Sequence, residues 1–135
     1  MLEVIPPWTQ DLGLLIEAVE AWRPAGASGD WYPGAVLRLP FTRKLCADGR
    51  TVSTQALMAF ADAAMIFACA AAWNGYRPMT AVDQTAHFLA PAQFDLLADA
   101  RIIRAGTTTS FGRVAIFGAS NRQHVAMMSG AYTML

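Results

Sequence analysis

Between Arg50 and Arg77 the chain carries a single charged residue, Asp62, in the run TVSTQALMAFADAAMIFACAAAWNGY. The interior of that run, Ala56 to Trp73, is dominated by Ala, Leu, Met and Phe and contains neither Gly nor Pro. This predicts a helix of about five turns. A hydroxyl at Ser53 or Thr54 can accept from the orphan amides of the first turn, and Asn74 and Gly75 tolerate the left-handed conformation that ends a helix. A helix apolar on every side either crosses a membrane or is enclosed by its own protein. An ionised Asp at mid-span costs roughly 2.5 to 3.5 kcal/mol and the many Ala residues return little, so the enclosed helix is expected and no membrane partner.

The enclosing elements follow in the chain. Met79 to Leu89, Leu96 to Arg104, Phe111 to Phe117 and His124 to Met134 read as strands separated by turn chemistry at Ala90-Pro91, Ala105-Gly106 and Gly118 to Arg122. Short gaps between such runs predict an antiparallel meander. In the second strand Ala98, Ala100 and Ile102 alternate with Asp99, Arg101 and Ile103, which gives one small apolar face and one partly wet face. Small residues on the inner face let a helix lie close.

Ahead of the long helix, Leu12, Leu15, Ile16, Val19 and Trp22 form a stripe at three and four spacing, opposite Gln10, Asp11, Glu17 and Glu20. That pattern predicts an amphipathic helix from Thr9 to Pro24. Ala35 to Phe41 reads as a short strand, with Pro40 at its end or on a sheet edge. The order is an α+β domain with its helix inside a curved antiparallel sheet. Residues 1–33 are read as a helical lead-in and residues 34–135 as the main body of one domain.

Composition narrows the function. Ten basic residues balance ten acidic ones, with no basic cluster, so nothing favours nucleic acid. At 135 residues, 55% hydrophobic and only 15% charged, the chain is more apolar than an average soluble domain, and self-association is expected. Cys46 and Cys69 lack metal or redox spacing and read as free thiols in a reducing compartment. His87 and His124 have no second ligand at metal spacing, and no metal site is expected. The start of the chain has no basic segment followed by an apolar one, and a cytoplasmic protein is the default expectation.

The order of elements, with Leu57, Asp62 and Ala64 on the helix, Phe88-Leu89 and Pro91-Ala92 after the next strand, and the strand-turn-strand from Ala98 to Phe117 around Gly106, resembles the hotdog-fold acyl-CoA thioesterases of the phenylacetate-degradation type. The resemblance spans Leu37 to Leu135 and implies hydrolysis of an acyl-CoA, with coenzyme A as part of the substrate and no other cofactor. It also implies a dimer or a pair of dimers. In that family the helix carboxylate, here Asp62, acts as general base or nucleophile toward the thioester. An acid among Ala, Met and Phe is costly to leave without a role, which agrees.

The family takes an oxyanion donor from a backbone amide within His-Gly-Gly at the helix N-terminus, and that tripeptide falls on Ser53-Thr54-Gln55. The sequence departs from the pattern here, and the Asn common upstream has no counterpart in Leu45 to Arg50. The Thr54 N–H can still donate, Gln55 offers a side-chain amide, and Ser53 borders the same approach. Thr54 and Asp62 are separated by about 12 Å along one helix, too far to meet at one carbonyl. Two helices related by a two-fold axis would place Thr54 of one beside Asp62 of the other. Met58, Phe60, Met65 and Phe88 are candidates for an acyl tunnel, Thr80 (with Asp83) for the strand hydroxyl that family members carry, and Arg104 and Arg113 for the phosphates of coenzyme A. The competing reading is a hotdog domain that has lost hydrolysis and binds an acyl-CoA or another apolar ligand. A hydratase of the same fold is disfavoured because no His lies on the central helix.

Overall fold

The computed structural model describes residues 5–135. Helix α1 (Pro7–Gln10) is a single turn. It is followed by strands β1 (Leu15–Glu20) and β2 (Gly34–Leu39), a 3-10 turn at Arg43–Leu45, the long helix α2 (Thr54–Ala72), and strands β3 (Met79–Phe88), β4 (Leu96–Ala105), β5 (Thr109–Gly118) and β6 (His124–Met134). All six strands form one antiparallel sheet in the order β1-β2-β4-β5-β6-β3, curled around α2. This is the hotdog fold.

Helix α2 forms where the sequence places it. The Ser53 hydroxyl accepts from the Ala56 N–H at 3.1 Å, and Asn74 adopts φ 59° just past the last turn. The helix is long and apolar enough to cross a membrane, yet 11 of its 19 residues are buried within this fold. The helix packs against β4, and Ala61, Ala64 and Ala68 of the one and Ala98 and Ala100 of the other are all at most 1% exposed. Small side chains on both surfaces allow that close approach, and Phe60, Met65 and Phe67 fill the space beside it. Beneath Met65 the sheet has Gly112, where a Cβ would lie 2.6 Å from Met65 Cε and 2.7 Å from the Arg101 carbonyl oxygen.

Two expectations are corrected. The helix from Thr9 to Pro24 is absent: Gly13, at φ 81°, ends the turn, and Leu15–Glu20 is a strand paired along β2. The supposed core stripe is largely wet, with Leu15 51%, Val19 41% and Trp22 74% exposed. Glu17 and Glu20, read as the wet face of a helix, instead form ion pairs with Arg38 of β2 (2.6 Å) and Arg101 of β4 (2.9 Å). Pairing with β2 overrides the helical spacing: along the strand Leu15 and Val19 lie on the exposed face, and Ile16 and Ala18 on the half-buried one. Since β1 belongs to the sheet, a boundary at residue 33 divides one structural unit.

The meander is real only for β4, β5 and β6. Strand β3 pairs with β6 at the far edge, from Met79 opposite Met134 to Phe88 opposite Ala126. The connection after β3 is tied to other elements: Leu89 N–H donates to the Val125 carbonyl, and the Ala92 carbonyl accepts from Val52 N–H. Side-chain character explains the placement. In β4 every inward residue from Leu96 to Ile102 is buried, as a central strand requires, whereas β3 is exposed over most of both faces, as befits an edge.

Gly112→Ala is expected to lower stability by about 1 to 3 kcal/mol, because the Arg101 carbonyl cannot yield as the Met65 methyl can. The urea midpoint of the purified variant checks this.

Candidate functional site

The exposed margin of α2 carries Thr54, Met58 and Asp62 at four-residue spacing, hence on one face. With Trp8, Gln55, Ala59, Gln84 and Phe88 they line an open cleft of about 480 Å³. One wall is helix and the other is the inward face of edge strand β3. Thus Thr54, Gln55, Met58, Asp62 and Phe88, all singled out in the sequence, border one space. Ser53 lies just outside it, capping the helix.

The remaining candidates lie elsewhere. Phe60 and Met65 are fully buried between helix and sheet and do not reach the cleft. Thr80, Arg104 and Arg113 point from the outer face of the sheet, away from α2. The Arg113 guanidinium sits 5.9 Å from the Tyr32 ring centroid. There it borders a separate groove of about 460 Å³ with Trp31, Phe117 and His124.

Asp62 is half-buried and its Oδ1 is held by two donors. Gln84 Nε2 donates to it at 2.8 Å, and the Tyr132 hydroxyl donates to the same oxygen. Gln84 Nε2 also donates to the Tyr132 oxygen at 2.6 Å, closing a ring of three side chains. These groups come from α2, β3 and β6, and the β3–β6 pairing brings them together. Gly130 lies on β6 opposite Gln84, where a Cβ would come 2.9 Å from the Asp83 carbonyl oxygen of β3.

Electrostatics fix the protons of this cluster. Tyr132 is 2% exposed, and its hydroxyl is pushed above the ordinary tyrosine range by burial first, then by the Asp62 charge and its hydrogen bond. It therefore stays a donor. The Cys69 thiol is pushed up to about 12, again by burial and then by Asp62, so it remains a protonated, inert core group. Among the described residues no cluster of His, Cys, Asp and Glu could hold a metal ion.

The N-terminus of α2 supplies the second chemical element. Leu57 N–H donates to the Ser53 carbonyl and Ala56 N–H to the Ser53 hydroxyl. The N–H groups of Thr54 and Gln55 have no acceptor among the described residues and lie at the positive end of the helix dipole. An anion or a developing oxyanion is the group such a terminus attracts.

Tyr132 and Gln84 escape the sequence reading. Alternation along β3 from Phe88 does place Gln84 on the same face, which was a usable signal. Tyr132 lies 70 residues from Asp62 and is joined to it only through sheet pairing.

Comparison with known proteins places this geometry in context. No curated protein matches the chain. Among solved structures, the E. coli PaaI protein from the phenylacetic acid degradation operon superposes with a TM-score of 0.80 at 20% identity, covering 99% of this chain and 88% of its own. Zebra fish thioesterase superfamily member 2 gives 0.79 at 16% identity, covering 99% and 91%. AziG of S. sahachiroi gives 0.77 at 20% identity, covering 96% and 97%. At these identities the likeness is one of fold. The family profile described as the thioesterase superfamily matches residues 50–124, from the entry to α2 to the start of β6, and on that match over more than half its length the chain belongs to the thioesterase superfamily.

Proposed function

We propose that the protein hydrolyses an acyl-CoA thioester to the free acid and coenzyme A, at a site shared between two subunits. The observation that carries this is the Asp62 carboxylate on the wall of an open cleft whose helix ends in two unpartnered N–H groups. Asp62 takes a proton from water, whose oxygen adds to the thioester carbonyl, or it attacks that carbon itself and water then hydrolyses the resulting acyl–Asp62 anhydride to the free acid. The carbonyl electron pair becomes an oxyanion received by backbone N–H donors. Collapse expels the thiolate, which takes up a proton. No side chain fills the cleft, so a substrate has access to Asp62.

Two copies are proposed because one does not suffice. Along the cleft Thr54 and Asp62 stand about 12 Å apart, so the N–H of Thr54 of the partner subunit is the donor that serves each Asp62. The edge strand β3 supports pairing: its open side offers backbone groups, and Val82 and Phe88 are 63% and 46% exposed. A two-fold axis beside β3 would cover these residues and bring the two cleft walls together.

With a panel of short, medium, long and aromatic acyl-CoAs, Asp62→Asn is expected to lower kcat by at least about a hundredfold. Thiol release measures it; if the wild type turns over none while several raise its Tm, the chain is a ligand-binding hotdog domain. Thr54→Pro deletes one N–H at a position where proline suits both the helix start and the extended Ser53 before it, at φ −66° and ψ 153°. It is expected to keep the wild-type Tm and lose about a hundredfold or more in kcat. The shared site has its own check. Mixed and re-equilibrated, the two inactive variants should recover about a quarter of wild-type activity, because half the dimers are mixed and each mixed dimer has one intact site. No recovery would place both residues in one subunit's site.

A further inference from the structure

The ring formed by Asp62, Gln84 and Tyr132 can be read by counting protons. An ionised carboxylate only accepts, and a phenol has a single proton to give. The Tyr132 proton goes to Asp62 Oδ1, so the contact between Tyr132 and Gln84 needs a donor from Gln84. The contact between Gln84 and Oδ1 needs one as well. Oδ1 and the Tyr132 oxygen are hydrogen-bonded neighbours on the same side of Nε2, so one Gln84 N–H is shared between them, and the amide has one orientation because Oε1 in that place would face a carboxylate oxygen. Asp62 Oδ2 and Gln84 Oε1 receive no protein donor among the described residues, while both residues line the cleft.

We propose that Tyr132 is a positioning residue: by giving its one proton to Oδ1 and accepting from Gln84, it sets Asp62 Oδ2 and Gln84 Oε1 as a pair of acceptors facing the cleft. A water molecule has two protons to offer such a pair and keeps a lone pair for an electrophilic carbon. Tyr132 itself touches neither water nor substrate, being 2% exposed behind the carboxylate. It acts by holding the other two groups. The charged and titratable groups around Asp62 are few: Tyr132 from β6 and Cys69 from its own helix, with neutral Gln84 from β3. Removing the Tyr132 donor leaves the charged form of the carboxylate one hydrogen bond poorer than in the wild type, with only Gln84 still donating to Oδ1.

This assignment rests on Asp62 as the reacting carboxylate, so its test separates the two claims. In Tyr132→Phe and, independently, Gln84→Met, the Asp62 carboxyl carbon is titrated by 13C NMR and kcat and KM are measured against pH on the best acyl-CoA. Each variant is expected to raise the Asp62 midpoint by about one pH unit. The acid limb of kcat should move up with it, kcat should fall about ten- to a hundredfold, and KM should stay within about twofold. A folded Tyr132→Phe whose midpoint and acid limb match the wild type, with only its Tm lowered, overturns the positioning role and leaves a structural hydrogen bond. If Tyr132→Phe does not fold, Gln84→Met on the exposed edge strand decides by the same two readings. If the wild type hydrolyses no thioester, the hydrolase reading fails, and the NMR midpoint alone still decides whether Tyr132 controls the Asp62 proton.

Discussion

The close approach of α2 to its sheet sets everything else. Ala61, Ala64 and Ala68 on the helix and Ala98 and Ala100 on β4, with Gly112 under Met65, let the helix settle into the curve of β2, β4 and β5. A helix seated so deeply has one margin left uncovered, along β3 at the sheet's far edge. Thr54, Met58 and Asp62 occupy that margin by helical periodicity. The acid is therefore neither surface nor core: its backbone is fixed by a buried helix while its carboxylate reaches a cleft. A larger residue at Gly112 or Ala100 would lift the helix and shift Asp62 relative to β3 and β6, where both of its hydrogen-bond donors reside.

The parts of the fold legible in the sequence are those whose burial is one-sided or complete. Helix α2 shows itself by the absence of breakers over a long run, and β4 by its alternation of Ala98, Ala100 and Ile102 with polar neighbours. Strand β1 is hidden because Leu15, Ile16 and Val19 fit a helical spacing rather than an alternation, and only pairing with β2 makes a strand of them. The place of β3 was hidden for another reason. A seven-residue connection from Leu89 to Asp95 suits a hairpin, and nothing local records that Ala90 and Leu89 bond to Val125 instead.

The site was legible to the same degree. Asp62 announces itself because a lone charge in an apolar helix demands a partner, and the helix N-terminus follows from the cap at Ser53. Partners that arrive through sheet pairing leave no such mark. Tyr132 reads as one more aromatic in a terminal strand, and only the folded sheet, with β3 alongside β6, turns its hydroxyl into a donor for an acid 70 residues away. Met65 and Phe60 failed as cleft residues for the reverse reason: along an apolar helix, chain order alone does not distinguish the core face from the cleft face.

An edge strand exposed on both faces is a liability unless something covers it. Here the strand holding Gln84 is that edge, and its inward face is a wall of the cleft. Covering the edge and completing the cleft would then be one event, since a second copy joined along β3 would bring its own helix margin to the first. The departure at Ser53-Thr54-Gln55 fits this geometry better than it first appears. A backbone donor needs no glycine, only a free N–H at a helix start, and the Ser53 cap leaves two of them by satisfying the amide of Ala56 rather than those of Thr54 and Gln55. What side chains at these positions alter is the width of the approach, so in the proposed dimer they act on which thioesters enter more than on whether an oxyanion can be held.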